Sequence, residues 1–279
     1  MFWSGKQFTF KNIPDLSGKI AIITGSNTGI GRVCALEMAR ENCQVIVAAR
    51  NAEKANAVVN EIKQETGNDK VEYIHLDLLS LASVKKFADE FKVRHEHLHI
   101  LMNNAGVMNA PYSLSKDGEF EPYDPKLTSI YFATLMINDE QSNSGAGHYV
   151  KSKAANILFT RELAKRLKNK GIIYVNCNHP GVVASDLYRH YSPALDFFLF
   201  TLGKKLIYIT NEEGALSQLY IATSPEIEEK KLTGEYFARF GKLSKSDSYT
   251  RSDKNAAELW EWTENVLKEK APGYEGAPI

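Results

Sequence analysis

The stretch Ala21-Ile22-Ile23-Thr24-Gly25-Ser26-Asn27-Thr28-Gly29-Ile30-Gly31 leaves few folds open. An apolar run from Ile20 to Ile23 reads as a buried strand, and it breaks at a glycine turn straight into an amphipathic helix pattern. Gly25 lets the chain turn where a Cβ would clash. Gly29 and Gly31 stand where a backbone must approach a ligand and where a helix must pack close to a strand. The N–H groups at the helix start then face an anion, for which a pyrophosphate is the fitting candidate. The spacing is G-x-x-x-G-x-G rather than G-x-G-x-x-G, and a ligand-free βα turn is the plainer alternative. The residues downstream have to decide.

They continue the same rhythm. Gln44 to Ala49 reads as a second strand, Asn51 caps a helix ending near Gly67, and Val71 to Leu76 is a third strand. Ser80 caps a helix to about Arg94, and His99 to Asn103 is a fourth strand. Strands alternating with helices predict a doubly wound parallel α/β sheet, one Rossmann-type domain over residues 1–279 with residues 1–18 as a polar-aromatic lead-in. Residues 107–148 interrupt the pattern, because Pro111, Pro122 and Pro125 make that segment a poor helix. Its one apolar piece, Ser129 to Met136, is rich in strand formers. Regularity returns with a helix from about Tyr149 to Lys168 and a strand from Ile172 to Cys177, closed by His179-Pro180-Gly181. Thr210-Asn211-Glu212-Glu213 is a capping box, Gly234 to Phe237 is a last strand, and Ala256 to Lys268 closes the chain with Trp260 on its apolar side.

Composition excludes some functions. With 34 basic and 34 acidic residues the net charge is zero, so no basic field exists to hold nucleic acid. Cys34, Cys43 and Cys177 form no C-x-x-C pair and read as reduced thiols, which predicts a cytoplasmic setting. The N-terminus lacks the apolar stretch of a secretory signal, and no apolar segment is long enough to predict a spanning helix. His95-Glu96-His97-Leu98-His99 matches the H-E-x-x-H zinc signature, but it runs into a strand instead of lying on a helix, so no metal is expected.

Thr24-Gly25-x3-Gly29-Ile30-Gly31, Asp77-Leu78, Asn103-Asn104-Ala105-Gly106, Tyr149-x3-Lys153 and Pro180-Gly181-Val182-Val183, in that order, resemble the short-chain dehydrogenase/reductases over nearly the whole chain. The stretch Ser152 to Leu163 is similar to the retinol dehydrogenase-like and WW-domain oxidoreductase-like branch. The resemblance implies hydride exchange between NADP(H) and a lipophilic carbonyl or alcohol. It makes Tyr149 and Lys153 the catalytic pair. It places the cofactor on Gly25, Asn27, Thr28, Gly29, Ile30, Gly31, Asp77, Leu78, Asn104, Ala105, Gly106, Tyr149, Lys153, Pro180, Gly181, Val183 and Ser185. It also makes residues 186–211, with Phe197 to Phe200, an apolar substrate lid suited to a membrane surface, and it implies pairing into homodimers.

The residues supply their own physics. Arg50 ends the second strand, where an acidic residue would bond the ribose 2′-OH of NAD and a cation accommodates the 2′-phosphate of NADP. Arg50, with Arg32, is therefore the expected phosphate reader, against the alternative of a solvated surface arginine. Tyr149 and Lys153 fall one turn apart on one helix face. A nearby ammonium favours the phenolate and lowers a tyrosine that otherwise titrates near 10.

One part of the family pattern is missing. Asp117-Gly118-Glu119-Phe120 resembles the start of the helix after strand four, and Pro122-Tyr123-Asp124-Pro125 already resembles sequence beyond strand five. A helix and a strand, roughly 30–50 residues by the size of a βα unit, are missing or replaced. The family's catalytic-site asparagine and the Asn-x-Ser-Ser serine go with them, and Ser129, Ser142 and Ser144 are the candidate stand-ins for the lost hydroxyl, none of them in the family's context. Two functions stay open: an oxidoreductase, and a nucleotide-binding or interaction protein without turnover.

Overall fold

The computed structural model describes residues 7–107, 116–117, 145–183, 209–271 and 273–279. β1 (Ile20–Thr24), β2 (Gln44–Ala49), β3 (Val71–His75) and β4 (Ile100–Met102) form a parallel sheet in the order β3-β2-β1-β4. Its register sets Ile22 between Ile46 and Leu101. β1 and β2 are buried almost end to end, as strands covered on both faces must be. Three helices connect them: α1 (Gly29–Arg40), α2 (Ala52–Thr66) and α3 (Leu81–Arg94). Asn51 caps α2 by accepting from Lys54 N–H at 2.8 Å, and Gly67 closes it at φ +71°. Ser80 caps α3 by accepting from Ser83 N–H. The parallel Rossmann-type sheet predicted from the alternating pattern is therefore present, nearly residue for residue.

The second half supplies α4 (Gly145–Leu167), β5 (Cys177–Asn178), α5 (Asn211–Thr223), α6 (Pro225–Glu229), β6 (Tyr236–Ala238), β7 (Lys242–Ser244) and α7 (Asp253–Lys270). β5, β6 and β7 make a separate three-stranded sheet. Thr210 and Glu213 form the expected reciprocal cap on α5, at 3.2 and 2.9 Å. On α7, Trp260 is buried, stacks on Phe159 of α4 at 5.6 Å, and carries the Arg166 guanidinium over its ring. The halves share one core. Val33 and Met38 of α1 join Leu219 and Tyr220 of α5 and Phe237 of β6.

The lead-in differs from expectation. Phe8, Ile13 and Leu16 are buried in that core, with Phe8 edge-on to Tyr220 at 5.4 Å. Three apolar residues scattered among polar neighbours carry no period, so burial could not be read from them.

The strand expected over Ile172–Cys177 is the larger correction. Only Cys177 and Asn178 pair as strand, while Ile172 is 84% exposed. On the side of β6 the segment is held by Gly234 N–H donating to Val175 O at 2.7 Å and by side chains. Asn176 bonds Leu232 C=O and Glu235 N–H, and Thr233 Oγ1 accepts from Val175 N–H. On its other side no strand pairs with it among the described residues. β4 is likewise paired on the β1 side alone among the described residues, with Leu101 54% exposed. An open groove of about 600 Å³ runs along the outer face of α3, past Leu81, Val93 and Ala271. A parallel sheet normally has both faces covered by its crossover helices. Among the described residues, the open α3 face and the unpaired edge of β4 fall where a helix and a strand are missing from the sequence pattern.

Candidate active site

The glycine turn is built for close approach. Gly25 (φ +65°) has Ala105 against it, so that a Cβ there would stand 2.9 Å from Ala105 Cα. A Cβ on Gly31 would collide with Asn104 Nδ2 and lie 2.9 Å from Gly25 O. Asn27, Thr28, Gly29 and Ile30 fill the turn into α1, with Thr28 at its N-cap. This is the cradle a side chain would fill and a pyrophosphate needs, so the residues present fit a dinucleotide.

The end of β4 is tied to that turn. Asn104 Nδ2 donates to Thr24 O at 2.9 Å, and Ala105 N–H donates to Thr24 Oγ1 at 2.9 Å. Gln218 of α5 donates to Asn104 Oδ1 at 3.2 Å. The sequence reading missed Gln218, which belongs to no motif. Its only signal is a polar residue on a helix whose neighbours Ser217 and Leu219 are buried.

Lys153 reaches the same place from α4. Its Nζ lies 3.6 Å from where a Gly106 Cβ would be, and burial pulls the ammonium below its ordinary value. Tyr149 is on α4 one turn earlier, and its side chain lies outside the described part of the helix. The Lys153 charge is also felt by His179, whose imidazole is held low by desolvation first and by that ammonium last.

The segment after β5 closes the opposite wall. His179 Nδ1 accepts from Gly181 N–H at 3.0 Å beside Pro180, and Gly181 (φ +104°) packs on Arg239 and Ile209. Val183 is buried and bridges to Ile209. At Gly214 of α5, a Cβ would meet Val183 Cγ2 at 2.8 Å and Ile30 Cδ1 at 3.1 Å. The glycine turn and the segment after β5 thus converge on one glycine. Ser185, the lid at Phe197–Phe200, and Ser129, Ser142 and Ser144 lie outside the described residues.

At the far end, β2 and β3 deliver Arg50 and Asp77 to neighbouring strand ends, since Ala49 pairs with His75. Arg50 is exposed, Asp77 is buried, and Leu78 is exposed beside it. Arg32, expected as a second phosphate reader, is instead paired with Glu61 of α2 through its Nε at 3.1 Å and its terminal nitrogen. The zinc-like histidines diverge. His95 caps the end of α3 and faces Glu72 at 2.9 Å, whereas His99 accepts from Ile20 N–H at 3.1 Å. No metal-binding group occurs among the described residues.

A glycine turn open to close approach, a parallel sheet and a lysine on the following long helix define a Rossmann-type dehydrogenase framework. The chain belongs to the short-chain dehydrogenase/reductase family, whose short chain dehydrogenase model matches residues 19–134. It is similar to an uncharacterised oxidoreductase of Schizosaccharomyces pombe, 36% identical over 94% of this chain and 89% of the yeast protein. It is 33% identical to human polyprenol dehydrogenase (88% of this chain, 84% of that one) and 35% to human retinol dehydrogenase 12 (88% and 85%). The similarity therefore favours the family and no single branch of it. Among solved structures, a Mycobacterium paratuberculosis protein superposes with TM-score 0.68 at 27% identity over 94% of this chain and 98% of its own. L-sorbose reductase of Gluconobacter frateurii, crystallised with NADPH and L-sorbose, has the same fold (TM-score 0.60, 20% identity, 85% and 100% covered).

The alignment to the yeast protein spans 310 positions but covers 94% of 279 residues, about 262, so in total about 48 positions have no residue of this chain opposite them.

Proposed function

We propose that the chain is an NADP(H)-dependent oxidoreductase acting on a lipophilic carbonyl or alcohol. The observation that carries this reading is the Lys153 ammonium seated against Gly106 at the end of β4, one helical turn from Tyr149. In the reductive direction Tyr149 donates its phenolic proton to the substrate oxygen. Lys153 favours the resulting phenolate and so tunes the acid. The bound nicotinamide supplies or accepts the hydride. The turn from Gly25 through Asn27, Thr28, Gly29 and Ile30 to Gly31 holds the pyrophosphate, Asp77 and Leu78 the adenine, and Asn104, Ala105 and Gly106 the ribose. Pro180, Gly181, Val183 and Ser185 are the residues assigned to the nicotinamide. A lipophilic substrate is supported by the names of two relatives, a polyprenol and a retinol dehydrogenase. A cytoplasmic location, a lid resting on a membrane surface and a homodimer complete the proposal. No described helix is long and apolar enough to cross a membrane.

Cofactor choice falls to Arg50, exposed at the end of β2. Charge-assisted bonds from arginine to phosphate are among the stronger polar contacts. Arg50→Asp is expected to shift the NADPH:NADH preference toward NADH by about tenfold or more, and an unchanged ratio of dissociation constants removes Arg50 from the role. Thermal unfolding tests the reading as a whole. NADPH at a hundred times its dissociation constant adds about 2.7 kcal/mol, and NADH at the same concentration adds less.

A second reading has one specific observation behind it: the sequence contains no Asn-x-Ser-Ser. A nucleotide-binding protein without turnover would show the NADPH shift and no Tyr149-dependent reaction.

A further inference from the structure

Lys116 and Asp117 belong to no motif, yet they are stapled to the loop between β3 and α3. Lys116 N–H donates to Leu79 O at 2.9 Å, and Asp117 Oδ2 accepts from Leu81 N–H, the first residue of α3, at 2.8 Å. The Lys116 Nζ stands 2.7 Å from Asp77 Oδ2. The partners differ sharply in surroundings, since the Asp77 side chain is 3% exposed and that of Lys116 68%. Asp77 Oδ1 accepts from Leu79 N–H at 3.1 Å, so with Lys116 on Oδ2 both carboxylate oxygens are engaged, and Asp77 N–H donates to Ser83 Oγ at 3.0 Å.

We propose that Lys116 is a positioning residue for the adenine end of the cofactor site, holding the Asp77 carboxylate ionised and aimed to accept from the adenine exocyclic amino group. The inference rests on the NADP(H) reading above. A carboxylate has about four acceptor positions, and Leu79 and Lys116 occupy two, so room remains for the amino donor. Burial raises the Asp77 carboxyl, and Lys116, the Leu79 N–H and Arg50 more than offset it, leaving it below its ordinary range. Among the described residues, Lys116 and Arg50 are the charged groups that act on it. Without the ammonium, burial is opposed by Arg50 and one amide alone, the carboxyl rises, and the acceptor protonates at a higher pH.

The test is NADPH binding from pH 3 to 8, read by tryptophan fluorescence, for wild type, Lys116→Met, Lys116→Arg and Asp77→Asn. In Lys116→Met the acid limb of binding moves to higher pH and affinity at pH 7 falls about tenfold. Lys116→Arg restores both, and Asp77→Asn removes the acid limb. The hypoxanthine analogue of NADPH, which presents an oxygen in place of the amino group, binds wild type more weakly than NADPH, and that difference shrinks in Lys116→Met. A role confined to fastening the loop would leave the pH profile and the analogue difference where they were. Wild-type NADPH binding with an unmoved acid limb in Lys116→Met overturns this inference alone. No NADPH binding by wild type overturns the cofactor reading and this inference together.

Discussion

Tyr149→Phe is expected to lower kcat by a factor of about 10²–10⁴, the usual worth of a positioned general acid, with NADPH affinity changed little. The phenyl ring keeps the shape of the side chain and removes the proton. Lys153→Met should act on the same step from the other side, because a phenol without its ammonium neighbour returns toward its ordinary value near 10. The alkaline limb of the pH profile for carbonyl reduction should then move up toward the unperturbed tyrosine near 10, at a lower maximal rate. Lys153 is half-buried, and burial already lowers its own ammonium, so the pair is sensitive to anything that opens the cleft. Residual turnover in Tyr149→Phe equal to wild type would end the oxidoreductase reading and leave the nucleotide-binding one.

Gly31→Ala is the second large effect. The added methyl would meet Asn104 Nδ2 and stand 2.9 Å from Gly25 O. Neither neighbour yields easily. Asn104 is committed to Thr24 O and Gln218, and Gly25 is itself pressed against Ala105. Overpacking and a lost buried hydrogen bond together cost about 2–4 kcal/mol, or roughly 5–15 °C in melting temperature for a chain of this size. The NADPH-induced stabilisation should disappear as well, since the same collision displaces the turn that faces the pyrophosphate. A variant that melts like wild type would mean that Asn104 has room to swing aside.

The first hundred residues were legible because each signal there is local. Asn51, Ser80 and Gly67 mark helix ends by their own chemistry, and β1 and β2 are apolar runs of strand length. What escaped the sequence depends on distant partners. Ile172 to Asn176 has the composition of a strand, but a strand needs a neighbour on both edges here, and among the described residues one edge has none. Gln218 acquires its place only when α5 packs beside the end of β4. The pairing of Arg32 with Glu61 of α2 likewise depends on two helices packing side by side. Lys116 lies in a stretch whose resemblance breaks off four residues later, and only the fold brings it to Asp77.

The break beside β4 bears on how the molecule opens. Among the described residues, backbone hydrogen bonds run without interruption from β3 to β4 and then stop, so the two sheets described are joined there by side-chain packing, chiefly between α1 and α5, instead of by a shared ladder. Amide hydrogen exchange would register this as a gradient. The amides of β1 and β2 should exchange only through global unfolding, whereas those of β4 and of Ile172 to Val175 should exchange through local opening at far lower free energy. Asn104, Gly106 and Lys153 lie on that seam, so the stretch of backbone with the least protection is the one the proposed chemistry depends on.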